Sequence, residues 1–230
     1  MPVDVVELNK IKKDFYEIAH FPNTVGAIDC THIRMKAPTI DEHLYVNRKN
    51  YHSINIQGVH VCDSTLKILN IVARWPGSTH DAFIWSNSEL KRLFVNGTIS
   101  EGWLLGDSGY PLRPWLLTPV LNPNSQAEER YNTSHILTRN VIERAFGVLK
   151  ARFRCLDSSG GTLLYSPDKV CKIFVATAVL HNMCIIDRIP LPEGCDPHDN
   201  GHIRAQQFAE NLNGDGENVR LRLVNEFFRH

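Results

Sequence analysis

Two kinds of apolar spacing alternate along the chain, and each change of spacing marks the boundary of a predicted element. Val5, Ile11 and Phe15 recur at helical intervals, whereas the next segments carry short runs of β-branched and other apolar residues. Proline and glycine separate most of these segments. The pattern predicts helices over 5–19, 79–95, 125–153 and 166–187, and strands over 24–36, 52–62, 66–75, 102–106 and 115–121.

The order of these elements favours an α/β fold with a mixed sheet. Only Asp63, Ser64 and Thr65 separate two β-rich segments, which predicts an antiparallel hairpin. A three-stranded meander followed by a helix and parallel strands is the ribonuclease H-like plan, a mixed five-stranded sheet flanked by helices. Element order alone also allows other α/β folds. In an α/β sheet of this kind the functional crevice lies at the strand ends.

Three acidic residues stand at the ends of apolar runs. Asp29 follows VGAI, Asp107 follows WLLG, and Glu143 follows NVI inside the longest predicted helix. A buried carboxylate is costly unless its charge is compensated. Three that converge would make an oxygen site for Mg²⁺ or Mn²⁺, which suits phosphodiester chemistry through two metal ions. For any single acid a separate surface position is the better interpretation, but the matched contexts favour convergence.

Charge and cysteine content restrict the functional classes. Lysine plus arginine equals aspartate plus glutamate at 25 each, so the formal net charge is zero. A free-standing DNA-binding protein usually has a strongly basic balance, so DNA affinity here must come from local patches or from a partner. The six cysteines form no C-x-x-C pair, which is typical of reduced intracellular thiols. No apolar run of transmembrane length is evident, which predicts no membrane association.

Four sequence segments, taken together, are distinctive. They are GAIDCTHI (26–33), WPGSTHD (75–81), LGDSGYP (105–111) and IERAFGVLK (142–150). This set resembles the PIF/Harbinger transposase family, including its domesticated, nuclease-like members, and the likeness covers about residues 20–187. No single tetrapeptide is specific, but the combination is.

The resemblance implies a DDE endonuclease core. In that core Asp29, Asp107 and Glu143 are the catalytic residues and the ligands of a divalent metal, Mg²⁺ or Mn²⁺. The 35 residues between Asp107 and Glu143 match the family's usual spacing. The resemblance also implies a partner, because in family transposons a separate Myb/SANT-like protein assists DNA binding and nuclear import.

Domain organisation follows from the same resemblance. Complete family members carry a helix-turn-helix region ahead of the core, whereas roughly twenty residues precede the first motif here. We therefore expect 1–22 to be an N-terminal helix that remains after a missing helix-turn-helix region, and 23–187 to be the DDE endonuclease domain. Proline and glycine punctuate 188–230, which predicts a partly disordered tail with a short helix over 217–229.

Asp81 is a fourth acid with two interpretations. It follows a predicted strand and begins a predicted helix with Ser78 or Thr79 as the N-cap, and the family motif includes it. It is therefore a candidate metal ligand, although a carboxylate that stabilises the helix N-terminus is the favoured interpretation. The neighbouring His32 and His80 are expected to be packed or capping side chains rather than phosphate contacts.

Basic residues concentrate near the proposed site although the protein is neutral overall. Taken singly, each is usually a solvated or ion-paired surface residue, but together they would form a rim for the phosphate backbone of DNA. The candidates are Arg34, Lys36, Arg48, Lys49, Arg139, Arg144, Lys150 and Arg152.

Two functions from different classes fit these observations. The first is a metal-dependent nuclease in the nucleus, or in both nucleus and cytoplasm, that hydrolyses DNA and has strand transfer as a further reaction. The second is a catalytically silent, domesticated transposase that acts as a protein-binding module for a Myb/SANT-like DNA-binding protein. A homo-oligomer is compatible with both. The discriminating observation is whether the three acids lie close enough to share metal ions.

Overall fold

A computed structural model describes residues 4–60, 66–191 and 214–229, except for the side chains of residues 59 and 60. Eleven α-helices and β-strands lie within these ranges. In chain order they are α1 (Val5–Ala19), β1 (Thr24–Arg34), β2 (Ser53–His60), β3 (Ile68–Pro76), α2 (Asp81–Ser86), α3 (Glu89–Val95), β4 (Trp103–Leu105), β5 (Leu116–Leu117), α4 (Gln126–Arg152), α5 (Pro167–Ile186) and α6 (Gly214–Phe227).

The strands form one mixed sheet in the order β3-β2-β1-β4-β5. β1 pairs antiparallel with β2, and β2 pairs antiparallel with β3, whereas β4 and β5 run parallel to β1. The predicted hairpin and the predicted five-stranded α/β sheet of the ribonuclease H-like plan are confirmed. β1 is the central strand, and Val25, Ala27 and Ile28 within it are completely buried because helices cover both faces of the sheet.

Side-chain alternation along β1 assigns its residues to two cores. Ala27 and Ile33 pack in one core with Ile142 of α4, whereas Ile28 packs in the other with Trp85 of α2. Successive side chains of a strand point to opposite faces. Asp29 therefore shares the face of Ala27, towards α4, and this face is called the α4 face below.

Two predicted elements differ from the observed ones. The helix predicted over 79–95 is two helices, because the buried Ser88 begins a new one: its hydroxyl accepts the amide of Lys91 at 3.2 Å. His80, rather than Ser78 or Thr79, is the N-cap residue of α2. The strand predicted over 115–121 is limited to Leu116–Leu117, and Pro119 just beyond it has no amide hydrogen for a sheet hydrogen bond.

Close packing fixes α4 over the centre of the sheet. A Cβ atom on Gly58 of β2 would lie 2.7 Å from the ring of Phe146, so the missing side chain lets α4 approach the strand. Gly58 is also the cross-strand partner of Asp29. Because directly opposed residues of antiparallel strands project to the same face, Asp29 faces the turn of α4 that carries Phe146 and Glu143.

α5 corrects the expectation that no apolar run reaches transmembrane length. It is long and apolar enough to cross a membrane by length and composition, and its outer face exposes Val179 and Met183. Its inner face packs on the sheet, where His181 hydrogen-bonds the carbonyl of Leu66 at 2.9 Å, and Asn182 exchanges hydrogen bonds with the backbone of Ile68. These hydrogen bonds show that α5 packs against the sheet.

Both chain ends pack against the central domain. Phe15 of α1 is completely buried in the core beneath α4, and Leu223 of α6 packs with Leu117 and Tyr131. The partial disorder predicted for the tail falls mainly on 192–213, outside the described residues. The boundaries 1–22, 23–187 and 188–230 stay predictions.

Candidate active site

The four candidate acids come from four different elements. Asp29 lies within β1, Asp81 begins α2, Asp107 follows β4, and Glu143 lies in the second half of α4. Asp29 and Asp107 are level with each other, because each lies two residues beyond the paired residues Ala27 and Leu105 of adjacent parallel strands. The structure therefore places both aspartates on the α4 face at neighbouring strands.

One guanidinium group joins two of these carboxylates. Arg139 Nη1 lies 3.2 Å from Asp29 Oδ2, and Arg139 Nη2 donates to Glu143 Oε1 at 2.5 Å. The Arg139 side chain is only 14% exposed. Asp29 and Glu143 thus lie on either side of one buried guanidinium and are bridged by it.

Burial and mutual repulsion perturb the two aspartates. Burial raises the pKa of Asp29 to about 7; Arg139 opposes this rise, and the neighbouring Asp107 and Asp81 add to it. Burial also raises the pKa of Asp107, with Arg139 opposing the rise and Asp81 and Glu143 adding to it. The site therefore holds more negative charge than its one arginine compensates, which is an environment that attracts cations.

Local backbone contacts hold both aspartates in place. The amide of Cys30 donates to Asp29 Oδ1 at 2.8 Å, and the amide of Gly109 donates to Asp107 Oδ1 at 2.9 Å. A Cβ atom on Gly109 would lie 3.1 Å from that same oxygen, so the glycine in the LGDSGYP motif gives the carboxylate room. The second oxygen of Asp29, Oδ2, faces Arg139.

Asp81 is held from the opposite face of the sheet. Asn55 donates to Asp81 Oδ1 at 3.0 Å and to the carbonyl of Thr79 at 2.9 Å. Asn55 alternates with Ile54 and Ile56 of the α4 core, so it projects away from α4 and from Asp29. This contact anchors the start of α2, and Asp81 also interacts electrostatically with Asp29 and Asp107. A role as a metal ligand stays a prediction.

A buried polar layer continues from Asp81, and sequence reasoning missed it. Gln57 donates to the hydroxyl of Tyr110 at 3.3 Å, and that hydroxyl lies 3.4 Å from the sulfur of Cys30. Asn55 and Gln57 are 1% and 2% exposed. The sequence feature that could have predicted this layer is the presence of Asn55 and Gln57 at alternate positions of the otherwise apolar strand SINIQGVH. Burial raises the pKa of Cys30, so this thiol stays protonated.

The donor chemistry of the acids on the α4 face fits a hard divalent cation. Carboxylate oxygens are the ligands that Mg²⁺ and Mn²⁺ prefer. In the conformation described for 4–60, 66–191 and 214–229, no group of three His, Cys, Asp or Glu side chains is arranged to hold a metal ion. The guanidinium of Arg139 lies between Asp29 and Glu143 instead.

The candidate basic residues have different environments. Arg34, Lys36, Arg48, Lys49 and Arg144 are exposed. Arg152 donates to the carbonyls of Ile189 and Pro190 at 2.6 and 3.1 Å, so its guanidinium anchors the chain after α5. Burial lowers the pKa of Lys150.

One group of basic residues lies close to the acids. Burial lowers the pKa of His32 to about 4, with Asp81 opposing this and Lys150, Lys49 and Arg48 adding to it. His32 is packed, since its Nδ1 lies 3.0 Å from the hydroxyl of Ser53. His80 contacts Arg48, whose Nη2 lies 2.7 Å from His80 Nδ1. Positive charge is therefore concentrated where β1, α2 and the end of α4 approach one another.

Comparison with known proteins adds a family to this geometry. Residues 28–182 match the family model of the DDE superfamily endonucleases, and this segment contains all four candidate acids. No solved structure gives a significant match.

Several curated relatives are similar over most of the chain. The mouse protein HARBI1, whose name describes it as a putative nuclease, is 39% identical over 228 residues, which cover 97% of this chain and 64% of the mouse protein. Human HARBI1 is 42% identical over 184 residues, or 80% of this chain and 52% of the human protein. The Arabidopsis protein named antagonist of like heterochromatin protein 1 is 32% identical over 200 residues, or 79% of this chain and 49% of the plant protein. The chain thus spans from about half to just under two thirds of these relatives' lengths.

Proposed function

Because this chain belongs to the DDE superfamily endonucleases, we propose that it is a metal-dependent nuclease of the Harbinger-derived type that hydrolyses phosphodiester bonds of DNA. The observation that supports the proposal is that Asp29 and Glu143 flank the buried guanidinium of Arg139, and that Asp107 lies close enough to interact electrostatically with Arg139 and Glu143. Strand transfer to a DNA 3′-hydroxyl is a second reaction that the same site would support.

Each acid has a distinct task in this proposal. Asp29 and Asp107 are the ligands fixed by the sheet, because backbone amides hold one oxygen of each. Glu143 is the ligand supplied by the helix, on a longer side chain that is 35% exposed. When bound, Mg²⁺ or Mn²⁺ supplies an activated water and stabilises the leaving oxygen. Asp81 acts behind the sheet, where it anchors the α2 end of the site.

The basic residues would position the DNA backbone. Arg34, Lys36, Arg48, Lys49 and Arg144 are exposed and able to reach phosphates, whereas Arg152 is engaged by backbone carbonyls. Such contacts orient the strand without reading its sequence. Specific targeting would then come from a Myb/SANT-like partner, which would also bring the protein to the nucleus.

The direct test of the proposed function is nicking of supercoiled plasmid DNA by the purified chain. Relaxed product should appear with Mg²⁺ or Mn²⁺ and be absent with EDTA. Asp107→Asn should yield no relaxed product. Glu89→Gln is the matched control for this variant and should keep the activity, because Glu89 is an exposed carboxylate that pairs with Arg92 on α3. Activity that persists in EDTA, or a wild-type chain inert with both metals, would reject the proposal.

The second candidate function is the catalytically silent, protein-binding module. It is favoured by one relative, whose name describes an antagonist of a chromatin protein and mentions no nuclease. Under this proposal the acids would only stabilise the fold, through their ion pairs with Arg139. Wild-type protein that binds a Myb/SANT-like partner but neither divalent ions nor DNA would support this function.

Divalent metal should stabilise the folded chain. The carboxylates repel one another when no metal is bound, and a ligand that binds only the folded state raises the unfolding free energy, by about 2.7 kcal/mol at a hundredfold excess over Kd. We expect millimolar Mg²⁺ or Mn²⁺ to raise Tm, and Ca²⁺ to do so without supporting cleavage. Asp107→Asn should remove the shift. An unchanged melt of the wild type by differential scanning fluorimetry would argue against metal binding.

DNA binding by this chain alone should be weak and nonspecific. Its formal net charge is zero, and its exposed basic residues suit phosphates. Affinity should fall with added salt, with a slope of about −0.9 per phosphate contact in a log–log plot, because displaced counter-ions drive binding. Electrophoretic shifts with a terminal-repeat duplex and a scrambled duplex provide the measurement. Tight, sequence-selective binding at physiological salt would place recognition in this domain.

A further inference from the structure

We infer that Arg139 competes with the divalent metal for Asp29 and Glu143, so that the guanidinium occupies these two carboxylates until an ion displaces it. The inference rests on the proposed function, since it concerns the same carboxylates. It adds a regulatory property, because metal affinity would be set by an internal ion pair as well as by the ligands.

The first support is the position of the guanidinium. Arg139 lies among the acids rather than beside them: it contacts Asp29 and Glu143 directly and interacts electrostatically with Asp107. Within the described ranges it is the only cationic side chain that forms an ion pair with any of these three acids. It therefore occupies the region in which a shared ion would have to be held.

The second support is that the contact with Asp29 is the longer of the two. Arg139 Nη1 lies 3.2 Å from Asp29 Oδ2, whereas Arg139 Nη2 lies 2.5 Å from Glu143 Oε1. The contact with Asp29 is therefore the weaker one. It is the first that a stronger ligand of that carboxylate would replace.

The third support is that the pair is poorly suited to stabilising the helix. Arg139 and Glu143 are four residues apart on α4, which places them on one face. The orientation with the acid ahead of the base is the better one for a helix, and here the base comes first. A buried ion pair is also weak evidence for stability, because desolvation offsets its attraction. A role at the metal site therefore explains the Arg139–Glu143 pair better than stabilisation of α4 does.

The consequence for metal binding is direct competition. A ligand oxygen of Mg²⁺ lies about 2.0–2.1 Å from the ion. A dication that binds Glu143 Oε1 is repelled by the guanidinium that donates to the same oxygen. Metal binding at this oxygen is therefore weakened until Arg139 leaves it.

The test compares Mn²⁺ affinity by isothermal titration calorimetry at pH 8, in the absence of DNA. Arg139→Gln should bind Mn²⁺ at least about tenfold more tightly than the wild type, because no cation has to be displaced. Arg139→Lys, which keeps the charge but lacks the planar two-pronged donor, should lie between the two. Arg130→Gln is the matched control: it removes the same charge about two and a half turns earlier on α4 and should shift Kd less than twofold.

Each outcome separates this inference from the proposed function. If the wild type binds Mn²⁺ and Arg139→Gln binds equally or more weakly, Arg139 supports the ligands and the competition is disproved, while the nuclease proposal stands. If neither the wild type nor Arg139→Gln binds Mn²⁺, the nuclease proposal itself fails. If Arg139→Gln does not fold, as circular dichroism would reveal, the Arg139→Lys comparison decides, and a Kd at or above the wild-type value overturns the inference.

Discussion

Asparagine in place of Asp107 should lower the rate of DNA cleavage by at least about a thousandfold, which corresponds to about 4 kcal/mol of transition-state stabilisation. Asp107 lies two residues beyond the end of the adjacent parallel strand, level with Asp29. Removing its charge takes one anionic ligand from the proposed metal site. The effect should appear in the single-turnover rate constant with Mn²⁺, because the lost interaction acts on the chemical step.

The fold of this variant should be preserved. The introduced asparagine would still offer a side-chain oxygen to the amide of Gly109, which donates to Asp107 Oδ1 in the wild type at 2.9 Å. Near-ultraviolet circular dichroism should therefore match that of the wild type, and Glu89→Gln should cleave at the wild-type rate. If Asp107→Asn keeps more than a tenth of the wild-type rate, Asp107 does not hold a catalytic metal.

Much of the fold could be predicted because its signals are local. The hairpin of β2 and β3 depends on two β-rich runs with a short polar connection, and the length of α4 follows from an uninterrupted helical pattern after Ser125, which caps it. The exceptions are also local. Ser88 caps a new helix where the apolar pattern looks continuous, since a pattern of apolar spacing does not register a buried hydroxyl that bonds the backbone.

The candidate site could be predicted only in part. The matched contexts of Asp29 and Asp107 follow from strand pattern, and their common level follows from parallel pairing. The position of Arg139 could not be predicted from the sequence pattern. It depends on how α4 is rotated about its axis, and the packing of Phe146 on Gly58, a contact between distant parts of the chain, fixes that rotation. Arg139 was expected at the DNA backbone, and the structure places it against Asp29 and Glu143.

Asparagine in place of Asp29 should stabilise the metal-free protein at neutral and alkaline pH. The folded-state pKa of Asp29 is about 7, raised from 3.8 mainly by burial. A raised pKa means that the folded state binds the proton more tightly than the unfolded state. The contribution of Asp29 to the free energy of unfolding is therefore complete below about pH 4. It is lost as the pH rises through 7, by up to about 1.4 kcal/mol per pH unit. Asparagine does not titrate and avoids this loss.

Urea denaturation in EDTA at several pH values measures the difference directly. The variant should be more stable than the wild type by on the order of 2–4 kcal/mol at pH 8, and the difference should shrink towards zero near pH 4. Saturating Mn²⁺ should reverse the order at pH 8, because only the wild type keeps all its ligands and gains binding free energy. A variant less stable than the wild type at pH 8 in EDTA would show that the pair with Arg139 outweighs burial, and that the acids on the α4 face are compensated without any metal.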